Sequence, residues 1–128
     1  MSGHTPAEGF SRACRLLTAG QYAEVFSARK VLRGALFALH FRSNNLESAR
    51  LGVVVPKKQA RTAVLRNAIK RQARELFRRR RAELPAVDLI LRLAQPIRLG
   101  RRPINATDKA GWREEIGGLL VRLEGGKT

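Results

Sequence analysis

Apolar residues recur along this chain in two periods, and the switches between them mark out its elements. Tyr22, Val25 and Phe26 fall on one helical face, and Thr18 with Gln21 has the spacing of a capping box. In such a box each side chain satisfies an otherwise unpaired backbone N–H, so a helix is predicted over roughly 18–28. From Gly34 to Arg42, Phe37, Leu39 and Phe41 alternate with other residues, and from Arg50 to Pro56 so do Leu51, Val53 and Val55. Both read as half-buried strands. The Ser43–Asn44–Asn45 cluster favours a turn and predicts that the two pair as an antiparallel hairpin. A short further strand is expected near Val31 and Leu32.

From about Thr62 to Arg81 the period becomes helical. Leu65, Ile69, Ala73 and Leu76 form one stripe, and Arg66, Asn67, Lys70, Arg71, Arg74 and Arg78 lie beside it within an arc of about 140°. Pro85 breaks the pattern, and Val87 to Ala94 reads as a strand apolar enough to be buried. Residues 95–109, with Pro96, Gly100, Arg101, Arg102 and Pro103, read as a basic loop. A last helix is predicted from about Ala110 to Leu123, with Trp112, Ile116, Leu119, Leu120 and Leu123 as its apolar face. Glu114 and Glu115 would suit its positive end and Arg122 its negative end, while Gly117 and Gly118 argue against regularity. Residues 1–11 read as a flexible tail, 12–124 as a single domain and 125–128 as a frayed end.

Length and charge narrow the possibilities. The 128 residues suit one domain, and 44% hydrophobic residues suffice for a core. The formal charge of +16 exceeds what solubility requires and implies a polyanionic partner. The segment Lys57–Arg81 carries eleven basic residues against the single acid Glu75, leaving +10 of that +16. A merely solvated basic face would intersperse acids for intrahelical pairing. An amphipathic membrane helix would need its apolar stripe free rather than committed to a core. Arg supplies a two-pronged donor set, Lys a mobile point charge and Asn67 both donor and acceptor, so helical repetition makes this face a rail for phosphates.

Candidate catalytic groups are sparse. The acids are scattered, and the adjacent Glu114 and Glu115 point to different sides of a helix. His4 falls in the tail and His40 stands alone in a strand, so neither a catalytic site nor a protein-borne metal site is expected. Cys14 is the single cysteine, which excludes an intrachain disulfide and suits a reducing cytosol. Neither a secretory signal nor a membrane-spanning run is apparent, and a cytoplasmic protein is expected. The terminal Gly126–Lys127–Thr128 superficially matches a nucleotide-binding loop, but Val121 stands where the first Gly is required, and a frayed end is expected instead.

The run Arg50–Leu51–Gly52–Val53–Val54–Val55–Pro56–Lys57–Lys58, followed by Arg66–Asn67–Ala68–Ile69–Lys70–Arg71–Gln72–Ala73–Arg74–Glu75, resembles the bacterial ribonuclease P protein family. That family has a strand ending in Lys-Lys, a short loop and R-N-x-x-K-R-x-x-R-E on a helix. Glu83–Leu84–Pro85 before a hydrophobic strand and the Tyr22–Ala23–Glu24–Val25–Phe26 helix fit as well, extending the resemblance over residues 12–124. The family commonly has a second Arg in its R-N-R core where this chain has Ala68, and residues 96–109 look longer than usual.

The resemblance implies an α/β (α+β) two-layer sandwich in the order α-β-β-β-α-β-α. Its sheet would be four-stranded and mainly antiparallel with a left-handed βαβ crossover, a fold shared with a domain of a ribosomal protein. It further implies a protein subunit without catalytic residues, in a complex whose catalytic RNA binds Mg²⁺ and cleaves precursor tRNA at its 5′ end. Catalytic-RNA binding is thereby assigned to Arg66, Asn67, Lys70, Arg71 and Arg74, with Lys57 and Lys58 extending the surface. The cleft for the single-stranded 5′ leader is assigned to Tyr22, Phe26 and His40. The implied partners are the catalytic RNA, one copy per protein, and precursor tRNA, with no DNA or membrane. A ribosomal or general RNA-chaperone protein could use the same basic helix, and a self-sufficient protein nuclease would cleave without RNA. The ordered Lys-Lys to R-N-x-x-K-R-x-x-R-E segment favours the first reading.

Overall fold

The computed structural model describes residues 14–16 and 18–125. The predicted tail, His4 within it, and the end at 126–128 lie outside the described residues. The elements run α1 (Ala19–Ser27), β1 (Lys30–Arg33), β2 (Phe37–Ser43), β3 (Arg50–Val54), α2 (Ala63–Arg80), β4 (Val87–Leu93) and α3 (Ala106–Gly125), with a 3-10 turn over Arg81–Glu83. This is the expected α-β-β-β-α-β-α order.

The capping box forms as predicted: Thr18 Oγ1 accepts from the Gln21 amide at 3.1 Å and Gln21 Oε1 accepts from the Thr18 amide at 3.0 Å. Thr62 starts α2 in a similar way, its Oγ1 accepting from the Leu65 amide at 3.1 Å.

The four strands lie in the order β1-β2-β4-β3. β1–β2 and β2–β4 are antiparallel, whereas β3–β4 is parallel. The predicted β2–β3 hairpin does not form, because β4 lies between the two strands. Val87–Leu93 is buried at six of its seven positions, and a strand covered on both faces gains most from the central place. The turn chemistry at 43–45 is real but serves a wider connection. Asn44 Oδ1 accepts from the Leu46 amide at 2.8 Å, its Nδ2 donates to Ser48 O and Asp88 Oδ1 at 3.0 Å each, and Asn45 takes φ +58°.

One face of the sheet, with Phe37, Leu39, Phe41, Leu51, Leu89, Leu91 and Leu93, is buried under α2 and α3. The buried stripe of α2 is Leu65, Ile69, Ala73 and Phe77; Leu76 is only half-buried at its margin. On the opposite face α1 packs through Val25 onto Ile90 and Leu16. The two faces therefore carry separate helices, and any groups beside α1 are screened by the sheet from those on α2.

The last helix begins four residues earlier than predicted. Asn105 Oδ1 accepts from the Asp108 amide at 2.8 Å and Asp108 Oδ2 accepts from the Asn105 amide at 3.0 Å, a reciprocal cap that starts α3 at Ala106. Glu114 and Glu115 consequently sit in mid-helix, and Asp108 is the acid at its positive end. α3 continues through Gly117 and Gly118, because burial of Trp112, Ile116, Leu119, Leu120 and Leu123 outweighs the cost of two glycines, about 1 kcal/mol each.

Candidate nucleic-acid interface

The first surface starts where β3 ends. Pro56 O accepts from the Gln59 and Ala60 amides at 3.0 Å each, closing a turn that leaves Lys57 and Lys58 exposed. α2 follows, with Asn67, Arg71 and Arg74 exposed and Arg66 and Lys70 half-buried. All seven residues assigned to RNA contact thus lie on one continuous stretch of turn and helix.

Their states differ. Arg66 Nη1 donates to the carbonyls of Ala60 at 2.9 Å and Arg61 at 3.1 Å, so this side chain also clasps the turn before its own helix. Further along, Arg78 and Arg79 pair with Glu75 at 2.7 and 3.0 Å, and the hydrogen bond from Arg78, with help from Arg79, holds the Glu75 carboxyl below its ordinary range. Arg80 pairs with Glu124 of α3 at 2.5 Å, and Arg81 binds Ala49 O and Ser48 Oγ. Lys57, Lys58, Arg61, Lys70 and Arg71 take part in none of the ion pairs among the described residues. Uncompensated charge therefore gathers at the N-terminal part of the rail. Ala68 packs against the margin of the core, so a longer side chain here would have to run its stem along that apolar edge.

The second surface is on the α1 face. Tyr22 is half-buried and packed against the Val25–Ile90 cluster, Phe26 is 37% exposed, and the Phe26 ring meets His40 edge-on with centroids 4.8 Å apart and planes at 72°. Arg92 Nε donates to His40 Nε2 at 3.2 Å. Burial, then the charges of Arg92 and Arg33, push the His40 pKa down, which favours the neutral ring as acceptor. Tyr22, Phe26 and His40 are thus brought to one face, with Arg92 as a cation that the sequence reading missed. A signal existed: Asp88 and Arg92 are the two charged positions in an otherwise apolar strand, and their spacing puts both on the face of Ile90. Asp88 is consumed by structure, buried and bound by Arg50 at 2.7 and 2.8 Å.

A cationic rail on one face and an aromatic cleft with a neutral imidazole on the other suit RNA better than catalysis by side chains. A family model described as Ribonuclease P matches residues 10–123. The chain belongs to the ribonuclease P protein family. Over 90 residues it is 53% identical to the ribonuclease P protein component of an Azoarcus strain, covering 70% of this chain and 75% of that one. The corresponding protein of Chromohalobacter salexigens is 42% identical over 118 residues, 91% of this chain and 87% of its own. Among solved structures, the Thermotoga maritima ribonuclease P protein superposes with a TM-score of 0.68 at 30% identity, covering 87% of this chain and 98% of that one. The Staphylococcus aureus protein gives 0.68 at 26% identity, with 92% and 97% covered. The family assignment agrees with the mixed α/β sheet architecture described above.

Proposed function

We propose that this chain holds the catalytic RNA of ribonuclease P on its α2 face and the single-stranded 5′ leader of precursor tRNA on its α1 face. Family membership makes it the protein subunit of ribonuclease P, an enzyme of tRNA processing. The observation that carries the finer division is the separation of the two surfaces by the sheet. Lys57, Lys58, Arg66, Asn67, Lys70, Arg71 and Arg74 lie on the α2 side, and Tyr22, Phe26 and His40 on the other. A rail of cations matches a phosphate backbone, whereas partly exposed rings match unpaired bases and need no particular sequence.

Hydrolysis is assigned to the RNA, with Mg²⁺ as its metal. The carboxylates of Glu24, Glu75, Asp88, Asp108 and Glu124 are bound to arginines, and Glu115 is bound to backbone amides. No group of three or more His, Cys, Asp or Glu side chains converges among the described residues, and in this reading the magnesium sits on the RNA. A 1:1 complex in the cytoplasm completes the reading; no helix among the described residues is long and apolar enough to cross a membrane.

Reconstitution tests it. The full-length protein is combined with its cognate catalytic RNA, and precursor cleavage is followed at low Mg²⁺. A protein-dependent gain is expected, with no cleavage by protein freed of RNA. Cleavage surviving exhaustive RNA removal would place the chemistry in the protein and overturn the assignment.

A further inference from the structure

Between the turn that carries Lys58 and the segment linking β4 to α3 lies a groove of about 800 Å³ that meets the rail at Lys58 and Arg61 and otherwise lies outside both surfaces described above. Its walls are built. The Ile97 amide donates to Gln59 O at 2.8 Å and Gln59 Nε2 donates to Ala94 O at 3.0 Å, stitching the start of the segment to the turn. At the other end both terminal nitrogens of Arg102 bind Asp108, at 2.9 and 3.1 Å, anchoring the segment to the first turn of α3. The Arg102 amide donates to Leu99 O at 3.1 Å across Gly100, whose φ of +64° suits glycine.

The lining has two chemistries. Ile97, Leu99 and Val64 give it an apolar floor, and Val64 is 71% exposed although it stands on the first turn of a helix whose other large apolar residues are buried or half-buried. Lys58, Arg61, Arg98 and Arg101 edge it, none of them in an ion pair among the described residues, and no carboxylate lines it. The amino end of α2 opens here and adds its positive dipole to the same spot. An apolar floor under a cationic rim fits a nucleotide, with base and sugar below and phosphate above. Bases in a duplex are stacked away from such a floor, so the nucleotide has to be unpaired. Lys58 belongs both to this rim and to the rail, which makes the strand continuous with the RNA on α2.

We propose that this groove takes an unpaired nucleotide from a non-helical stretch of the catalytic RNA, giving the protein a second grip beside the α2 rail. This rests on the ribonuclease P reading above and adds to it a site on the segment 96–104. The test uses full-length protein with a photoreactive benzophenone side chain in place of Val64, bound to the cognate catalytic RNA and irradiated. Reverse-transcription stops should map to one or two adjacent unpaired nucleotides. The double variant Arg98→Ala, Arg101→Ala should lose that crosslink and bind the RNA about tenfold more weakly at about 0.1 M salt, with the log–log salt slope lowered by about one to two. Thermal unfolding should stay at the wild-type temperature, since both side chains are exposed.

Crosslinks to base-paired nucleotides or to precursor tRNA, or a double variant with wild-type affinity and slope, would overturn the proposal. Lys70→Ala separates the two levels. If it weakens binding while the groove variants change nothing, the groove fails and the ribonuclease P reading stands. If the wild-type protein itself ignores the catalytic RNA, that reading fails first.

Discussion

The phenol ring of Tyr22 rests over Gly52 in the space a side chain would fill: a Cβ built there would lie 2.6 Å from both Cζ and the hydroxyl oxygen of Tyr22. Strand β3 thus sets the floor of the aromatic cleft by lacking a side chain at one position. Tyr22→Ala is expected to weaken precursor tRNA binding to the reconstituted enzyme by about 1–3 kcal/mol, the scale of one base–aromatic stack, and to leave mature tRNA binding unchanged. Gly52→Ala should act in the same direction, because the tip of the ring has to swing off the strand. Both substrates are measured alongside thermal unfolding. An unchanged precursor-to-mature ratio with a collapsed melting temperature would make Tyr22 a core residue, for which truncation costs about 3–5 kcal/mol.

Gly52 also shows where the sequence stops being informative. The period of Leu51, Val53 and Val55 identifies β3, but nothing local says that Tyr22 will come to lie on the glycine between them. The helices were legible for a similar reason in reverse: Thr18 with Gln21, and the stripe Leu65, Ile69, Ala73, are contacts within a few residues. Strand pairing is not. Ser43, Asn44 and Asn45 announce that the chain turns, and the competition for the centre of the sheet is decided by β4, more than forty residues on. Asn105 and Asp108 did carry a local capping signal for α3, obscured by the prolines and glycine that precede them. The rail residues were visible as a run of charge, while the commitment of Arg66 to Ala60 O needed the fold.

His40 predicts a pH dependence. Its folded-state pKa lies below 6.5, so the folded protein binds this proton less readily than the unfolded chain. The contribution to stability is complete above about 6.5 and is lost as the pH falls from there through the lowered value. Denaturant midpoints should decline over that window, before the carboxylates titrate, and His40→Gln should flatten the decline. The same ring followed by NMR should titrate below 6.5. A midpoint at or above 6.5 would mean that Arg92 and burial do not hold it neutral.

On the rail, Lys70→Ala and Arg71→Ala should each reduce catalytic-RNA affinity and lower the log–log salt slope by about one per lost phosphate contact, with little change in stability. Arg66→Ala should do this and also lower stability by about 1 kcal/mol, since it releases the carbonyls of Ala60 and Arg61. Salt titrations of binding, paired with unfolding curves, check both. Wild-type slopes in Lys70→Ala and Arg71→Ala would remove the rail from RNA contact.

Glu115 tests a tie between α3 and the sheet. Its Oε2 accepts from the amides of Leu36 at 2.7 Å and Phe37 at 2.8 Å, and the absence of a side chain at Gly34 leaves room for the carboxylate. A charged acceptor shared by two amides at the start of β2 contributes more than a neutral one, because hydrogen bonds to charged groups give about 1.5–3 kcal/mol against about 1 for neutral pairs. Glu115→Gln should therefore lower stability by about 1 kcal/mol, and Glu115→Ala, which leaves both part-buried amides without their acceptor, by about 2–3 kcal/mol. Gly34→Ala should destabilise as well, through overlap with the carboxylate. Combined with Glu115→Ala, Gly34→Ala should cost less than it does alone, since the group it strikes is gone. Equilibrium denaturation of the two single variants and the double variant measures that coupling. Strictly additive losses would mean that Gly34 and Glu115 act independently and that the glycine is not there to admit the carboxylate.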